Sequence, residues 1–292
     1  MTIRKWIAKN TERLDGKCVA ITGSTGGLGK ELCRHLASLG ARLVLVDRNM
    51  KKSTALADEL RQIFPQVSIS HITADMEDIS SVKAATESLL QTNVDFLILN
   101  AGAYAIPRKK CDTGYDNVFQ INFLAPYYIA RHLFPSISER GGRIILVSSI
   151  AHNYSESDES DVDFSTRTKA SLVYGNAKRR LTYSLTDLYG NTGSISITHP
   201  GITFTNITAH YPKIIFAIIK YPMKVIFMSP RRAALSILSG IFTPTDRCEW
   251  IGPKLFNVWG LPKKKRLTTA CEDEIKRICE SAEEIFGKIS NL

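Results

Sequence analysis

The sequence has no uninterrupted apolar run long enough to cross a bilayer. Its most apolar stretch, Tyr211 to Met228, is broken by Lys213, Lys220 and Lys224, and a spanning helix needs ~18 consecutive apolar residues. The opening residues, Met1 to Lys9, lack the apolar core of a secretory signal. Six cysteines, Cys18, Cys33, Cys111, Cys248, Cys271 and Cys279, show no metal-like spacing. They read as reduced thiols of an intracellular protein, and no metal site is expected. There is no internal repeat and no low-complexity linker. The formal charge is +10, yet the only dense basic run is Lys263-Lys264-Lys265-Arg266. Without an RNA-binding signature or a Cys/His finger beside it, that run is expected to be a solvated loop, not a nucleic-acid patch.

What is present is a glycine turn between a short apolar run and an amphipathic one. Cys18 to Ile21 reads as a buried strand. Thr22-Gly23-Ser24-Thr25-Gly26-Gly27-Leu28-Gly29 turns out of it, and Leu28, Leu32, Leu36 and Leu39 then share a helix face. Such a turn aims backbone N–H groups and a helix dipole at one point, which suits a phosphate. The glycines at 23, 27 and 29 differ in spacing from G-x-G-x-x-G, but the needs are the same: a tight turn, close backbone approach and close helix packing. A P-loop is excluded, because Ser24 stands where it needs Gly and Glu31 where it needs Ser or Thr.

Strands and helices alternate from residue 17 to 199. Strands are expected at Arg42–Val46, Val67–Ile72, Val94–Asn100, Gly142–Ser148 and Ser194–His199. Helices are expected at Ser53–Ile63, Ile79–Leu90, 112–135 with an interruption near Pro126, and 171–189. Beyond them come a helix from Pro230 to Ile241, a last strand at Lys254–Val258 and a tail helix at Glu272–Ile289. The pattern implies an α/β fold, a doubly wound parallel sheet with helices on both faces. Residues 1–16 read as a lead-in with one helical turn around Trp6 and Ile7. Residues 17–262 read as one domain that includes the apolar segment 202–230, and 263–292 as the basic run with the tail helix. Ligands of such sheets lie beyond the carboxyl ends of the strands, where Gly23, Asp47, Asp75, Asn100, Ser149 and Pro200 stand.

Tyr174-Gly-Asn-Ala-Lys178 falls within a helical run, so both side chains share one face. A phenol near pKa ~10 is too weak an acid for neutral-pH proton exchange, and a nearby ammonium favours its phenolate. Of the ten tyrosines only Tyr174 has Lys four residues on. Ser148-Ser149 could hold a substrate oxygen beside it.

Several motifs stand in one order: Thr22-Gly23-x-x-x-Gly27-x-Gly29, Asp75, Asn100-Ala101-Gly102, Asn122, Ser149, Tyr174-x-x-x-Lys178 and Pro200-Gly201. In this the chain resembles the short-chain dehydrogenase/reductase family over roughly residues 15–260. His199-Pro200-Gly201-x-x-x-Thr205, Ser229-Pro230 and the long insert Ala151–Leu172 resemble its retinol-dehydrogenase and WW-domain-oxidoreductase branch. The acidic part of that insert, Glu156 to Asp163, is expected to be a solvated loop at the mouth of the site.

The resemblance implies a Rossmann-like fold and a nicotinamide cofactor. It implies that Tyr174 is the general acid/base and that Lys178 lowers its pKa and holds the nicotinamide ribose. Ser149 binds the substrate oxygen, with Ser148 as the alternative, and Asn122 keeps a relay water near Lys178. Gly23, Ser24, Thr25, Gly27, Leu28 and Gly29 cradle the cofactor. Asn100, Ala101 and Gly102 meet its ribose region, Asp75 and Met76 its adenine, and Pro200, Gly201 and Thr205 border the nicotinamide. Leu99 departs from the pattern, since many members have another Asn there. A homodimer or a larger assembly is also implied, while the reduced thiols point to the cytoplasm.

Asp47 stands 18 residues after Gly29, close to the spacing at which a carboxylate receives the adenosine ribose. It favours NAD over NADP, while Arg48 could clasp a 2′-phosphate. The expected activity is hydride transfer between nicotinamide and an apolar alcohol or carbonyl (retinoid, steroid, fatty or aromatic). A non-catalytic dinucleotide-sensing protein on the same fold is the alternative, and the intact Ser149, Tyr174 and Lys178 speak against it. A nucleotide-sugar epimerase suits the apolar 211–228 segment poorly.

That segment reads as a flap over an apolar substrate, with an interfacial membrane contact as its competitor. For a flap, Phe216→Ala and Ile218→Asp raise the KM for long apolar substrates more than for short ones. Unchanged kinetics together with release from liposomes would reverse the preference.

Overall fold

The strands are short and apolar because helices cover both faces of the sheet they build. The computed structural model describes residues 1–202 and 228–291. Among these, β1 is Cys18–Thr22, β2 Arg42–Asp47, β3 Ile69–Thr73, β4 Phe96–Leu99, β5 Arg143–Val147, β6 Ile195–Thr198, β7 Glu249–Leu255 and β8 Trp259–Arg266. They form one sheet in the order β3-β2-β1-β4-β5-β6-β7-β8. Every pairing is parallel except β7 with β8. Side chains along β1 alternate between two apolar layers: Cys18 and Ala20 enter one, Val19 and Ile21 the other. The first layer lies under α4 (Ile79–Leu90), α6 (Ala125–Glu139), α7 (Ala170–Tyr189) and α9 (Glu272–Ser290). The second lies under α1 (Ile3–Asn10), α2 (Gly27–Ser38), α3 (Met50–Ile63) and α8 (Pro230–Phe242). The chain runs outward from β1 to β3 and then returns to β4 on the other side of β1. That makes the β1/β4 boundary the switch point, with a crevice at its carboxyl end.

The expected doubly wound α/β architecture is thus observed, with differences in detail. The lead-in is a two-turn helix whose Trp6 is buried. The run expected at 112–135 starts at α5 (Asn117–Phe119), capped by the Asp116 carboxylate, and passes through a π turn, Gln120–Leu124, before α6. The Ala125 N–H reaches back five residues to Gln120 O. Pro126 has no N–H to give Asn122 O, so the wider turn avoids a clash that an α-helical register would impose.

The strand expected at Lys254–Val258 is instead the end of β7 and the turn into β8. Trp250 and Ile251 are buried, so pairing starts earlier, and the basic run continues the hairpin as an edge strand. Lysines suit that position because they discourage pairing with another chain. The domain boundary expected at 262 therefore falls within β8.

The acidic insert is not simply solvated. Arg179 and Arg180 on α7 are both buried. Arg180 donates to Glu159 twice, and to Asn176, Ser281 and the Asp158 carbonyl. Arg179 pairs with both oxygens of Glu274 at the start of α9. Buried guanidinium groups must find carboxylates, and the insert and the tail helix supply them. Residues 203–227, including Thr205 and most of the expected flap, lie outside the described residues.

Candidate active site

The crevice is closed on one side by a clasp between the ends of β1 and β4. The Thr22 hydroxyl accepts N–H bonds from Asn100 and Ala101, each at 3.0 Å. The Asn100 amide donates to the carbonyls of Thr22 and Gly23, again at 3.0 Å. A Cβ on Gly23, whose φ is +67°, would lie 2.9 Å from Ala101 Cα. One on Gly29 would lie 2.4 Å from Gly23 O. These two positions need glycine, one for its left-handed backbone and one for close approach. Gly26 is the N-cap of α2 and brings no side-chain acceptor, so the N–H groups of Gly27, Leu28 and Gly29 face the turn without an intrahelical partner. The cradle fits a pyrophosphate on these grounds.

Asp47 ends β2 beside this turn, but its carboxylate is already engaged. It accepts from the hydroxyls of Ser24, Thr25 and Ser53, and from the Thr25 N–H at 3.1 Å. Sequence reasoning missed this network, because it joins a residue after β1 to one on α3. Arg48 is exposed. Asp75 turns the chain toward α4, its carboxylate accepting from Glu77 N–H at 3.0 Å, and Met76 beside it is buried.

Across the crevice, Asn122 in the π turn is fully buried. Its amide donates to Ala103 O and Val118 O, both at 2.8 Å, and its oxygen accepts from Ala103 N–H at 3.2 Å. A Cβ on Gly102 would sit 2.9 Å from Asn122 Oδ1 and 3.6 Å from Lys178 Nζ. Asn100–Gly102, Asn122 and Lys178 therefore share one wall.

α7 carries both members of the expected pair. Lys178 Nζ donates to Val147 O at 3.1 Å and lies 5.8 Å from the Tyr174 ring centroid. Burial pushes this ammonium down, to about 8. The Tyr174 phenol is pushed up to about 12, by desolvation first, with a Ser149 hydrogen bond pulling it back and Tyr104 adding to the rise. One turn of helix sets Tyr174 and Lys178 side by side, and the nitrogen also reaches a carbonyl at the end of β5. Tyr104 packs edge-on against Tyr174 at 5.4 Å, a contact no local pattern announced. Ser149 lies near enough to Tyr174 for its hydroxyl to favour the phenolate, whereas Ser148 turns inward to Thr182 at 2.7 Å. Of the two serines, Ser149 is the one beside Tyr174.

Behind Ser149 stands a buried stack that the sequence did not reveal. His152 donates its ring Nδ1–H and its backbone N–H to Ser149 O. Trp250 lies edge-on to His152 at 5.1 Å and parallel to His199 at 5.3 Å. His199 bonds Asn257 O at 3.0 Å. Next to it are Pro200, half-buried, and Gly201, at φ +84°.

A family model described as short chain dehydrogenase matches residues 17–161. A short chain dehydrogenase of Aspergillus nomiae is 36% identical over 48% of this chain and 41% of its own length. Retinol dehydrogenase 12 of Mus musculus is 29% identical over 71% of this chain and 69% of its own. The chain thus spans under half of the first relative and about two thirds of the second. An uncharacterised protein of Mycobacterium paratuberculosis superposes with a TM-score of 0.73 over 97% of both chains at 20% identity. A short-chain dehydrogenase of Sphingobium yanoikuyae, solved with NADPH, gives 0.53 over 66% of this chain and 74% of its own at 25% identity.

The two histidines make stability depend on pH. Burial pushes His152 down to about 4 and His199 to about 3, from an ordinary 6.5. The unfolded chain takes up their protons as pH falls through the ordinary value, and the folded chain does not. Stability is therefore complete above that value and lost progressively below it. The thermal midpoint should fall between about pH 7 and about pH 5, and less steeply in His152→Asn, whose amide can still donate to Ser149 O. An equally steep fall in the variant would remove His152 from the account.

Proposed function

Because the chain belongs to the short-chain dehydrogenase/reductase family, in its retinol-dehydrogenase-like branch, we propose that it is an NAD(P)-dependent oxidoreductase for an apolar alcohol or carbonyl compound. The observation that carries this reading is the meeting of Ser149, Tyr174 and Lys178 at the carboxyl ends of the strands, beside the switch-point crevice. The nicotinamide supplies or accepts the hydride when bound. Ser149 holds the substrate oxygen, and Tyr174 gives it a proton or takes one from it. Lys178 orients the ribose with the N–H groups not spent on Val147 O, and its charge supports the phenolate. Asn122 holds the wall against which a relay water near Lys178 is kept. The glycine turn binds the pyrophosphate, Asp75 and Met76 border the adenine, and Pro200, Gly201 and Thr205 border the nicotinamide. The apolar character of 211–228, together with the relatives' names, supports a retinoid, steroid, fatty or aromatic substrate. Family likeness supports a homodimer, and the scattered free cysteines support a location in the cytoplasm. Among the described residues no helix is long and apolar enough to cross a membrane.

The acid/base role is tested by Tyr174→Phe. Turnover should drop by ~10²–10⁴ while cofactor binding survives. Near wild-type turnover would end the assignment.

For the cofactor we propose NAD over NADP. The Asp47 carboxylate is held by several donors, so it stays as a fixed negative charge where a 2′-phosphate would arrive. Asp47→Asn keeps an acceptor for the turn and removes the charge, and should shift preference toward NADP with Arg48 free to pair with the phosphate. Tighter binding of NADP than NAD by the wild-type protein in direct titration would refute the choice.

A further inference from the structure

The turn between β7 and β8 presents a large apolar side chain where neither packing nor backbone geometry asks for one. Phe256 is 90% exposed, and Leu255 and Trp259 beside it are 54% and 38% exposed. Phe256 and Asn257 both have left-handed backbones, at φ +50° and +58°, and Val258 N–H closes the turn onto Leu255 O at 3.0 Å. Such a turn ordinarily takes Asn and Gly. Asn257 fits, and it is fastened: its side chain accepts from Lys265 at 2.6 Å and its carbonyl from His199 at 3.0 Å. Phe256 carries backbone strain and apolar exposure together. The flanking sequence is basic, although Lys264 is paired with Glu249 at 2.9 Å and Lys265 is bonded to Pro253 O and Asn257. Between Trp250 and Cys271 the chain has no acidic residue and five basic ones, Lys254, Lys263, Lys264, Lys265 and Arg266.

We propose that this hairpin tip docks on an anionic lipid bilayer, with Leu255, Phe256 and Trp259 entering the interface and the exposed Lys254 and Lys263 meeting the headgroups. Aromatic side chains favour that depth, and each nearby lysine adds attraction to an anionic surface. A second copy of the chain is a poor partner, because two such basic tips repel. The location gives docking a use: the tip is bonded to His199, and a Cβ on Gly201 would meet Val258 O at 2.8 Å. Docking thus brings the substrate side of the crevice to a reservoir of apolar molecules. This use rests on the proposed function, whereas the binding itself does not.

The test is co-sedimentation of the full chain with vesicles of phosphatidylcholine alone and of phosphatidylcholine mixed with phosphatidylserine. Wild-type protein should bind the mixed vesicles, and added salt should weaken binding. Phe256→Gly relieves the left-handed backbone, so it cannot act by misfolding. It should weaken vesicle binding by about tenfold, as expected for withdrawing one large apolar side chain. Phe256→Trp should restore binding, and Lys254→Gln with Lys263→Gln should remove the preference for phosphatidylserine. Cofactor binding should be unchanged in all of them. Failure of the wild type to bind mixed vesicles, or undiminished binding by Phe256→Gly, would overturn the proposal. So would conversion of a wild-type dimer to monomer by that variant, or loss of binding in Phe216→Ala with Ile218→Asp but not in Phe256→Gly. If vesicle binding behaves as expected and no hydride transfer is found, the functional reading fails and the docking surface stands.

Discussion

The clasp between Thr22 and Asn100 is the constraint on which the site depends. Parallel strands end without a hairpin to join them, so their last carbonyls and N–H groups need other partners. Here one hydroxyl and one amide satisfy both ends at once. That fixes the separation of β1 and β4 at the point where the chain changes direction. The glycine turn and the Asn100–Gly102 wall are then two sides of one crevice. Asn122 extends the clasp by a further shell, holding Ala103 from both its N–H and its carbonyl.

Much of this was legible in the sequence, and the legible parts share a cause. The glycine turn, the strand-end positions and the pair on α7 follow from spacings within a single element, where geometry is fixed by the helix or strand repeat. The sheet followed from alternation of such elements. What escaped was made by contacts between distant segments. The spacing of Asp47 predicts a carboxylate that receives the adenosine ribose, and does not reveal that Ser24, Thr25 and Ser53 already donate to it. The polar composition of Glu156 to Asp163 predicts a solvated loop, but burial of Arg179 and Arg180 is decided only where α7 packs on the sheet. β8 was hidden for a related reason: an edge strand tolerates the lysines that argue against a strand in a sequence.

The serine pair shows how neighbouring identical residues take opposite duties. The chain stays extended just past β5, where successive side chains still alternate, so Ser148 and Ser149 face opposite ways. Ser148 is spent on Thr182 within the packed interior. Ser149 begins a 3₁₀ turn, Ile150–Tyr154, and accepts from Ala151 N–H while meeting Tyr174. The histidine stack beneath it is held neutral, so the platform for a polar site is itself nearly apolar. Buried in this way, His152 and His199 serve as shaped donors and not as proton carriers.

The π turn at Gln120–Leu124 has a consequence beyond avoiding a clash with Pro126. An extra residue in one turn acts as a frame shift within a helix: everything after it is rotated relative to everything before. Upstream and downstream of that shift, Phe119, Phe123 and Tyr127 still form a continuous aromatic column, with centroids 4.9 and 5.4 Å apart. Asn122 leaves that column and faces the crevice instead. One face of the widened segment seals the interior and another carries Asn122 to the site, so a residue inserted or deleted there would swing α6 by roughly 100° about its axis relative to the crevice.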